Sequence, residues 1–392
     1  MLLHLGRIPV FIVSSADVAK EVMKVNDLAC CSRPKLAGIG KLTYNYLDVA
    51  FSPYSECWRE MRKITVLEIF STKRVKSFRF IREDEVGSLM DSMSPPLTDP
   101  VNLTEKVFAL SGSIIFRTAF GKCFHGSEFD RAKFYELVHD VETVAGAFSY
   151  DEWFPGFGWI IDWISGHNGR VERVSMSWMR FSTEHVLGRR RHQRADCDLG
   201  NGGTCEKSNT DEESTRRSSR RHGNKGRVPE ADLDQLQYLK MIIKETLRLH
   251  PPAPMLIARE AISHFKINGY DIHPKTLIQV NAWALARDPK NWKNPEEFSP
   301  DRFIDNAMDF KGQSFQLLPF GSGRRGCPRI YMGTVTSELL LANLLYCFDW
   351  ALPAGTKQMD VNMEEQIGQC LTLNKKTPLL LVPIKYLHAQ AS

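Results

Sequence analysis

Apolar residues follow two rhythms along this chain. Ile8-Pro9-Val10-Phe11-Ile12-Val13 is a short apolar run, which predicts a buried strand. Ser14 or Ser15 then stands where a cap is expected, ahead of a helix running through Ala19, Val22 and Met23. From about residue 56 to 190 the pattern is mostly helical, with loops at Ser94-Pro95-Pro96 and around Pro155-Gly156. Over residues 232 to 250, Leu236, Leu239, Ile242, Ile243, Thr246 and Leu247 recur at helical spacing, and Pro251-Pro252 stops the helix. Phe265 to Ile272 predicts a β-hairpin turning at Asn268-Gly269. A last helix is predicted from about Met332 to Tyr346, and Leu379 to Ile384 closes the chain as a strand. Pro383 suggests an edge position for that strand, since proline cannot donate to a ladder. The expected class is mainly α with small β-sheets.

One segment breaks both rhythms. Between Arg189 and Arg227 the only apolar residues are Ala195, Cys197, Leu199 and Cys205. Such a composition cannot bury enough surface to offset the entropy of ordering it, so a disordered linker is one reading. A shifted reading frame is another. Back-translated with ordinary codons and read one nucleotide later, Asp196 to about Gly223 can encode T-V-I-W-A-M-A-E-L and then V-K-N-P-T-Q-M-K-K-A-Q-E-E-V-R, an amphipathic helical peptide. The chain thus divides into an N-terminal part (1–188), an aberrant segment (189–227) and a C-terminal part (228–392), within one domain.

The 392 residues, 43% hydrophobic with 22 Phe and 8 Trp, supply material for a large core. The net charge of +5 lies in the aberrant segment, which holds 11 Lys/Arg against 6 Asp/Glu and leaves 40 basic and 40 acidic residues elsewhere. That balance gives no nucleic-acid surface. Nine cysteines, an odd number with no C-x-x-C, argue against a disulfide framework and a structural zinc site. The glycosylation sequon Asn102-Leu103-Thr104 carries little weight. No run approaches the roughly 18 apolar residues of a membrane span, and Met1 to Arg7 is too short and polar for a signal peptide.

The chemistry concentrates in Pro319-Phe320-Gly321-Ser322-Gly323-Arg324-Arg325-Gly326-Cys327-Pro328. Gly321 and Gly323 let the backbone turn closely under a flat cofactor. Cys327 precedes a predicted helix, whose amides would favour a thiolate. Glu245 and Arg248, in Lys244-Glu245-Thr246-Leu247-Arg248, lie one turn apart on one helical face. Trp58 and Arg62, in Trp58-Arg59-Glu60-Met61-Arg62, share a face four residues apart, so both can donate to one acceptor.

Together these motifs resemble those of the cytochromes P450, and in detail the plant group that oxidises specialised metabolites. The F-G-x-G-x-R-x-C run from Phe320 to Cys327 resembles the haem-binding loop. The resemblance implies haem b (iron protoporphyrin IX), with Cys327 as the iron ligand and catalytic centre. Trp58, Arg62, Arg259, Phe320, Gly321, Gly323 and Arg325 would hold the cofactor. Glu245 and Arg248 resemble the family's E-x-x-R motif, and Pro300-Asp301-Arg302-Phe303 resembles the segment that adds Arg302 to a buried charge network. Met255, Leu256, Ile257 and Ala258 would line the substrate pocket. The implied activity is oxidation of a small lipophilic metabolite with O2, using electrons from NADPH through NADPH-cytochrome P450 reductase. The implied location is the cytosolic face of the endoplasmic reticulum membrane, although this chain shows no membrane anchor and reads as soluble.

The sequence also departs from the family. Nothing from Glu184 to Arg227 resembles the central helix that carries an A-G-x-D-T-type stretch and relays protons to bound oxygen. Arg329 stands where the family has Gly. Gln366 to Thr372 resembles a pocket turn with about two extra residues, Gln369 and Cys370. The chain is therefore expected to be an active monooxygenase, a catalytically defective haem-binding remnant, or a haem-free interaction protein.

Overall fold

The structure, a computed structural model, describes residues 1–94, 99–121, 131–147, 149–154, 156–182, 226–366 and 371–385. Most of the aberrant segment, and Gln369 and Cys370, lie outside the described residues, so those expectations are not addressed by it. The strands are β1 (Leu2–Leu5), β2 (Ile8–Val13), β3 (Val101–Asn102), β4 (Arg259–Glu260), β5 (Phe265–Ile267), β6 (Tyr270–Ile272), β7 (Leu277–Val280), β8 (Phe348–Ala351), β9 (Glu365–Gln366), β10 (Asn374–Lys375) and β11 (Leu380–Lys385). They form small sheets set among helices, so the class is mainly α with small β-sheets, as the sequence predicts.

The largest sheet has the order β1-β2-β7-β4. β2 runs parallel to β7, with Val10 beside Leu277 and Val13 beside Val280. This pairing ties the start of the chain to its C-terminal half. Its apolar face packs Phe11, Val13 and Ile278 against Ala19, Val22 and Met23 from the helical segment that follows β2. Ser15 is the N-cap of that segment by backbone position, but its side chain makes no capping hydrogen bond. The segment begins as an α-helix, Ala16–Lys20, and widens into a π turn, Glu21–Val25. β1 was not legible in the sequence, being short and largely exposed.

A second core forms where three long helices meet. Val86, Met90 and Met93 of Arg79–Met93 pack with Leu110 and Ile114 of Leu103–Phe120 and with Met332, Val335 and Leu339 of Ile330–Cys347. Ile330–Cys347 is long and apolar enough to cross a membrane, yet Leu339, Ala342 and Leu344 are core residues here. Asn102 caps Leu103–Phe120 by accepting the Glu105 amide at 3.2 Å, which gives the sequon residue a structural use.

Residues 228–233 are fastened by polar and specific contacts. Beyond the segment outside the description, Val228 donates to the Asn343 side chain at 3.0 Å and accepts from it at 3.0 Å. The buried Arg82 grips Glu230 through two bonds of 2.7 and 2.8 Å. Leu233 then enters the core from a 3-10 turn, Glu230–Gln235.

The sequence placed several boundaries imperfectly. The helix expected from residue 232 starts at Gln237, because the preceding residues take that 3-10 turn, and it ends at Leu249 before the prolines. The last helix extends slightly at both ends. The hairpin turns at Asn268-Gly269 with φ of 47° and 82°, both left-handed as a two-residue primed turn requires. β11 is not an edge strand, since it lies between β3 and β8. β3 pairs only with Leu380 and Leu381, whereas β8 pairs with Val382 to Lys385. At Pro383 the strand therefore has a neighbour on one side only, which is why proline is tolerated there.

Glu230→Ala should lower stability by about 3–5 kcal/mol, because it leaves the Arg82 guanidinium buried without its anion. Urea unfolding checks this. Arg82→Met combined with Glu230→Leu should recover most of the loss, and equal loss in the single and double variants would contradict the assignment.

Candidate functional site

The loop from Phe320 to Cys327 follows two wholly buried leucines, Leu317 and Leu318, and leads into the Ile330–Cys347 helix. It closes on itself, the Cys327 amide donating to the Phe320 carbonyl at 2.9 Å and the Gly326 amide to that of Gly323 at 3.0 Å. Phe320 packs edge-on against Phe310, with ring centroids 5.8 Å apart. Gly321 and Gly323 have φ of 68° and 69°. At Gly323 a Cβ would lie 2.4 Å from the Met23 carbonyl oxygen and 2.5 Å from Asp27 Oδ1. Glycine is therefore required there by the N-terminal half of the protein, a reason separate from cofactor approach. Cys327 is a half-buried free thiol, and among the described residues no amide donates to its sulfur. The helix dipole argument thus stands on sequence position alone.

Guanidinium groups converge around this loop. Arg325 is buried; its Nε donates to the Cys31 carbonyl and one Nη to that of Ser52, both at 2.7 Å, and its other Nη is buried with no partner. Its charge lies 3.8 Å above the Trp58 ring. Arg62 stands over the same ring at 5.6 Å and donates to the Gly326 carbonyl. Arg259, on β4, is buried and donates to Asp27 and to the Ser322 carbonyl, each at 2.7 Å. Arg33, which sequence reasoning missed, is buried too and donates to the carbonyls of Ala50 and Ala258 at 3.0 and 2.7 Å. No motif spacing marks Arg33. Its position follows only from the isolated bridge between Ser32 and Glu260, which brings distant segments together.

These cations are short of anions. Burial pushes the Arg33 pKa well down, and Arg325, Arg259 and Arg62 push it further. Burial likewise lowers Arg325 to about 10. Arginine rarely gives up its proton, so these groups stay charged and an anion would stabilise them. Among the described residues, Asp27 contributes a carboxylate here by direct ion pairing, to Arg259 and Arg324. The arrangement suits an anionic ligand. Trp58 is placed beside the cluster as expected, but its indole N–H donates to the Val49 carbonyl at 3.0 Å and would have to exchange that bond to reach a ligand. An open pocket of about 560 Å³, lined by Trp58, Arg62, Val66, Leu67 and Arg324, flanks the cluster; its lining does not include Cys327.

Met255, Leu256, Ile257 and Ala258 run into β4 beside the loop. Gln279 donates to the carbonyls of Met255 and Leu256 at 2.6 and 3.1 Å, and Arg33 to those of Ile257 and Ala258. Leu256, held at a φ of 51°, reaches Gly321, where an added Cβ would sit 3.6 Å from its Cδ1. The expected pocket wall thus borders the cysteine loop. Arg329 is exposed, with an ordinary φ of −89°, so the backbone does not demand glycine there. Crowding by surrounding protein lowers its pKa, and Cys327 partly offsets this.

The structure brings Glu245, Arg248 and Arg302 together in a second charge network. Glu245 and Arg248 are wholly buried and joined by two bonds of 2.8 Å, and Arg302 donates to Glu245 at 3.0 Å. The Ser299 amide adds a bond of 2.9 Å to Glu245. Arg248 also donates to the carbonyls of Ala286, Pro295 and Glu297. Trp292, which sequence reasoning missed, lies under both guanidiniums at 5.1 and 6.0 Å. Burial pushes the Glu245 carboxyl up, but Arg248, Ser299 and Arg302 together outweigh it and hold the carboxyl below its ordinary value of 4.5.

With a depressed carboxyl in the folded state, the Glu245 contribution is complete above its unfolded value and is lost as pH falls through the lower folded value. The stability gap between the parent and Glu245→Gln, measured by urea unfolding, should therefore narrow below about pH 4.5. A gap that stays constant down into the acid range would contradict the network.

The Cytochrome P450 family profile matches residues 1–202 and 207–381. Cytochrome P450 71B36 and cytochrome P450 71B9 of Arabidopsis thaliana are 43% and 45% identical to the chain over 435 residues, covering 99% of it and 87% of each relative. Cytochrome P450 71A1 of Persea americana is 42% identical over 439 residues, with the same coverage. Each aligned span exceeds the 392 residues of this chain, so the relatives carry internal residues without counterparts here. A zebra fish cytochrome P450 solved with abiraterone shares the fold, with a TM-score of 0.74 at 18% identity over 99% of this chain and 96% of that one. The chain belongs to the cytochrome P450 family of haem b-dependent monooxygenases, within its plant 71-like branch.

Proposed function

We propose that Cys327 is the proximal thiolate ligand of haem iron, and that the chain derives from an enzyme oxidising a small lipophilic plant specialised metabolite with O2. The observation that carries this is the anion-poor cluster around the cysteine loop, the buried Arg33, Arg259 and Arg325 with the half-buried Arg62 beside them, in which one Arg325 Nη is left unpartnered. The residues fit haem b, whose two propionates supply the missing negative charge. Arg62, Arg259 and Arg325 would hold those propionates, with Trp58 as a further donor; Phe320, Gly321 and Gly323 would shape the loop. A thiolate-ligated haem supplies oxygen activation when bound. The protein's own part is to hold the thiolate, bury the carboxylates and present Met255 to Ala258 to the substrate. NADPH-cytochrome P450 reductase, at the cytosolic face of the endoplasmic reticulum membrane, would supply electrons.

A second reading concerns turnover. The family profile breaks at residues 203–206, inside the compositionally aberrant segment, and the relatives' aligned spans are longer than this chain. Both support loss of the central helix with its acid and hydroxyl relay. We propose that the chain as written is a poorly coupled or inactive member that still binds haem.

Reduced carbon-monoxide spectra should show the red-shifted thiolate band, and Cys327→Ala should abolish it; persistence of the band in that variant would refute the ligand assignment. In reductase-driven assays the chain should form little product per NADPH consumed, and an insertion restoring the helix should raise that ratio at least tenfold, a factor of the size typical for positioned proton transfer (about 10²) or below it. Efficient coupling by the 392-residue chain itself would overturn the second reading.

A further inference from the structure

Asp27 belongs to none of the motifs above, yet it is buried at 4% exposure beneath the cysteine loop. Its Oδ1 accepts from Arg259 at 2.7 Å. Its Oδ2 accepts from the Arg324 backbone amide at 3.1 Å and from the Arg324 guanidinium at 2.9 Å. Arg259 in turn donates to the Ser322 carbonyl at 2.7 Å. A single carboxylate thus closes a ring through β4, the cysteine loop and the Asp27–Cys30 turn. Gly323 leaves room for this contact and no more, since a Cβ there would lie 2.5 Å from Asp27 Oδ1.

We propose that Asp27 is a positioning residue for the cysteine loop, fastening Arg259 and the Gly323–Arg325 turn to the N-terminal half so that the loop's guanidiniums keep their places. The proposal rests on reading the loop as the haem site. Charge is central to it. A carboxylate can serve two guanidiniums and an amide at once, whereas a neutral amide side chain offers one acceptor oxygen. Loss of the charge would also leave Arg259 buried without its anion.

The test is hydrogen exchange of the full chain without added haem, comparing Asp27→Asn, Asp27→Ala and Asp27→Glu. Asn keeps the side-chain shape, so it separates loss of charge from loss of volume if the Ala variant fails to fold. Peptides spanning 320–328 and 257–262 should exchange about fivefold or more faster in Asp27→Asn, as expected when a charge-assisted hydrogen bond is lost. The Gln237–Leu249 helix should keep its protection, and Asp27→Glu should restore part of the loop's. Unchanged loop exchange would overturn the proposal. So would an equal rise throughout the chain, which would make Asp27 a general core residue. The outcome is independent of the Cys327→Ala spectrum, so failure of the haem assignment and failure of the clamp are distinguishable.

Discussion

A guanidinium buried without an anion is among the least tolerated groups in a protein interior, because it loses water and gains no opposing charge. Around the cysteine loop this chain gathers Arg33, Arg259 and Arg325 in buried positions, with Arg62 beside them, and of these Asp27 pairs directly with Arg259. Backbone carbonyls from Cys31, Ser52, Ala50, Ala258 and Ser322 absorb much of the hydrogen-bonding demand. They carry only partial charge, so they satisfy geometry without balancing electrostatics. The surrounding architecture follows from this demand: β4 carries Arg259, the Ser32 bridge brings in Arg33, and the Glu56–Thr65 helix presents Trp58 and Arg62.

The second network shows what a self-sufficient arrangement looks like. Glu245 meets Arg248 and Arg302 with good geometry, and both guanidiniums also lie over Trp292. Its members lie on the Gln237–Leu249 helix and in the irregular stretch after it, where few backbone ladders could do the same work. One network is internally matched and fastens structure. The other is left cationic and, on the proposed reading, would meet haem propionates. That contrast explains how one fold can place a dense set of buried charges and still be specific in where it accepts a ligand.

Local signals made much of this legible. The Asn268-Gly269 turn, the Glu245–Arg248 spacing and the glycines of the cysteine loop each follow from rules that act over a few residues; the structure shows the turn, the paired charges and the left-handed φ of Gly321 and Gly323. Long-range contacts were not legible. Asp27 reaches the loop across roughly 300 residues of sequence and Arg33 reaches the segment before β4 across roughly 220, and no local pattern announces either. Pro383 misled because an edge and a strand with different neighbours at its two ends look alike in sequence. The helix start at Gln237 was missed because the Glu230–Gln235 turn carries an apolar residue at a helix-compatible position. Arg329 was read as a misfit from the family's Gly, whereas its backbone is ordinary and any conflict must come from the side chain.

The central claim is that the loop's cationic cluster is complementary to the two carboxylates of haem. Thermal unfolding of the full chain in the presence of ferric haem, and separately of haem with both propionates esterified, tests it directly. The account predicts a clear rise in Tm with haem and little or none with the diester, because the diester fills the same space without the charge. Equal stabilisation by both would show that shape and the thiolate suffice, and that the guanidiniums are balanced by other means.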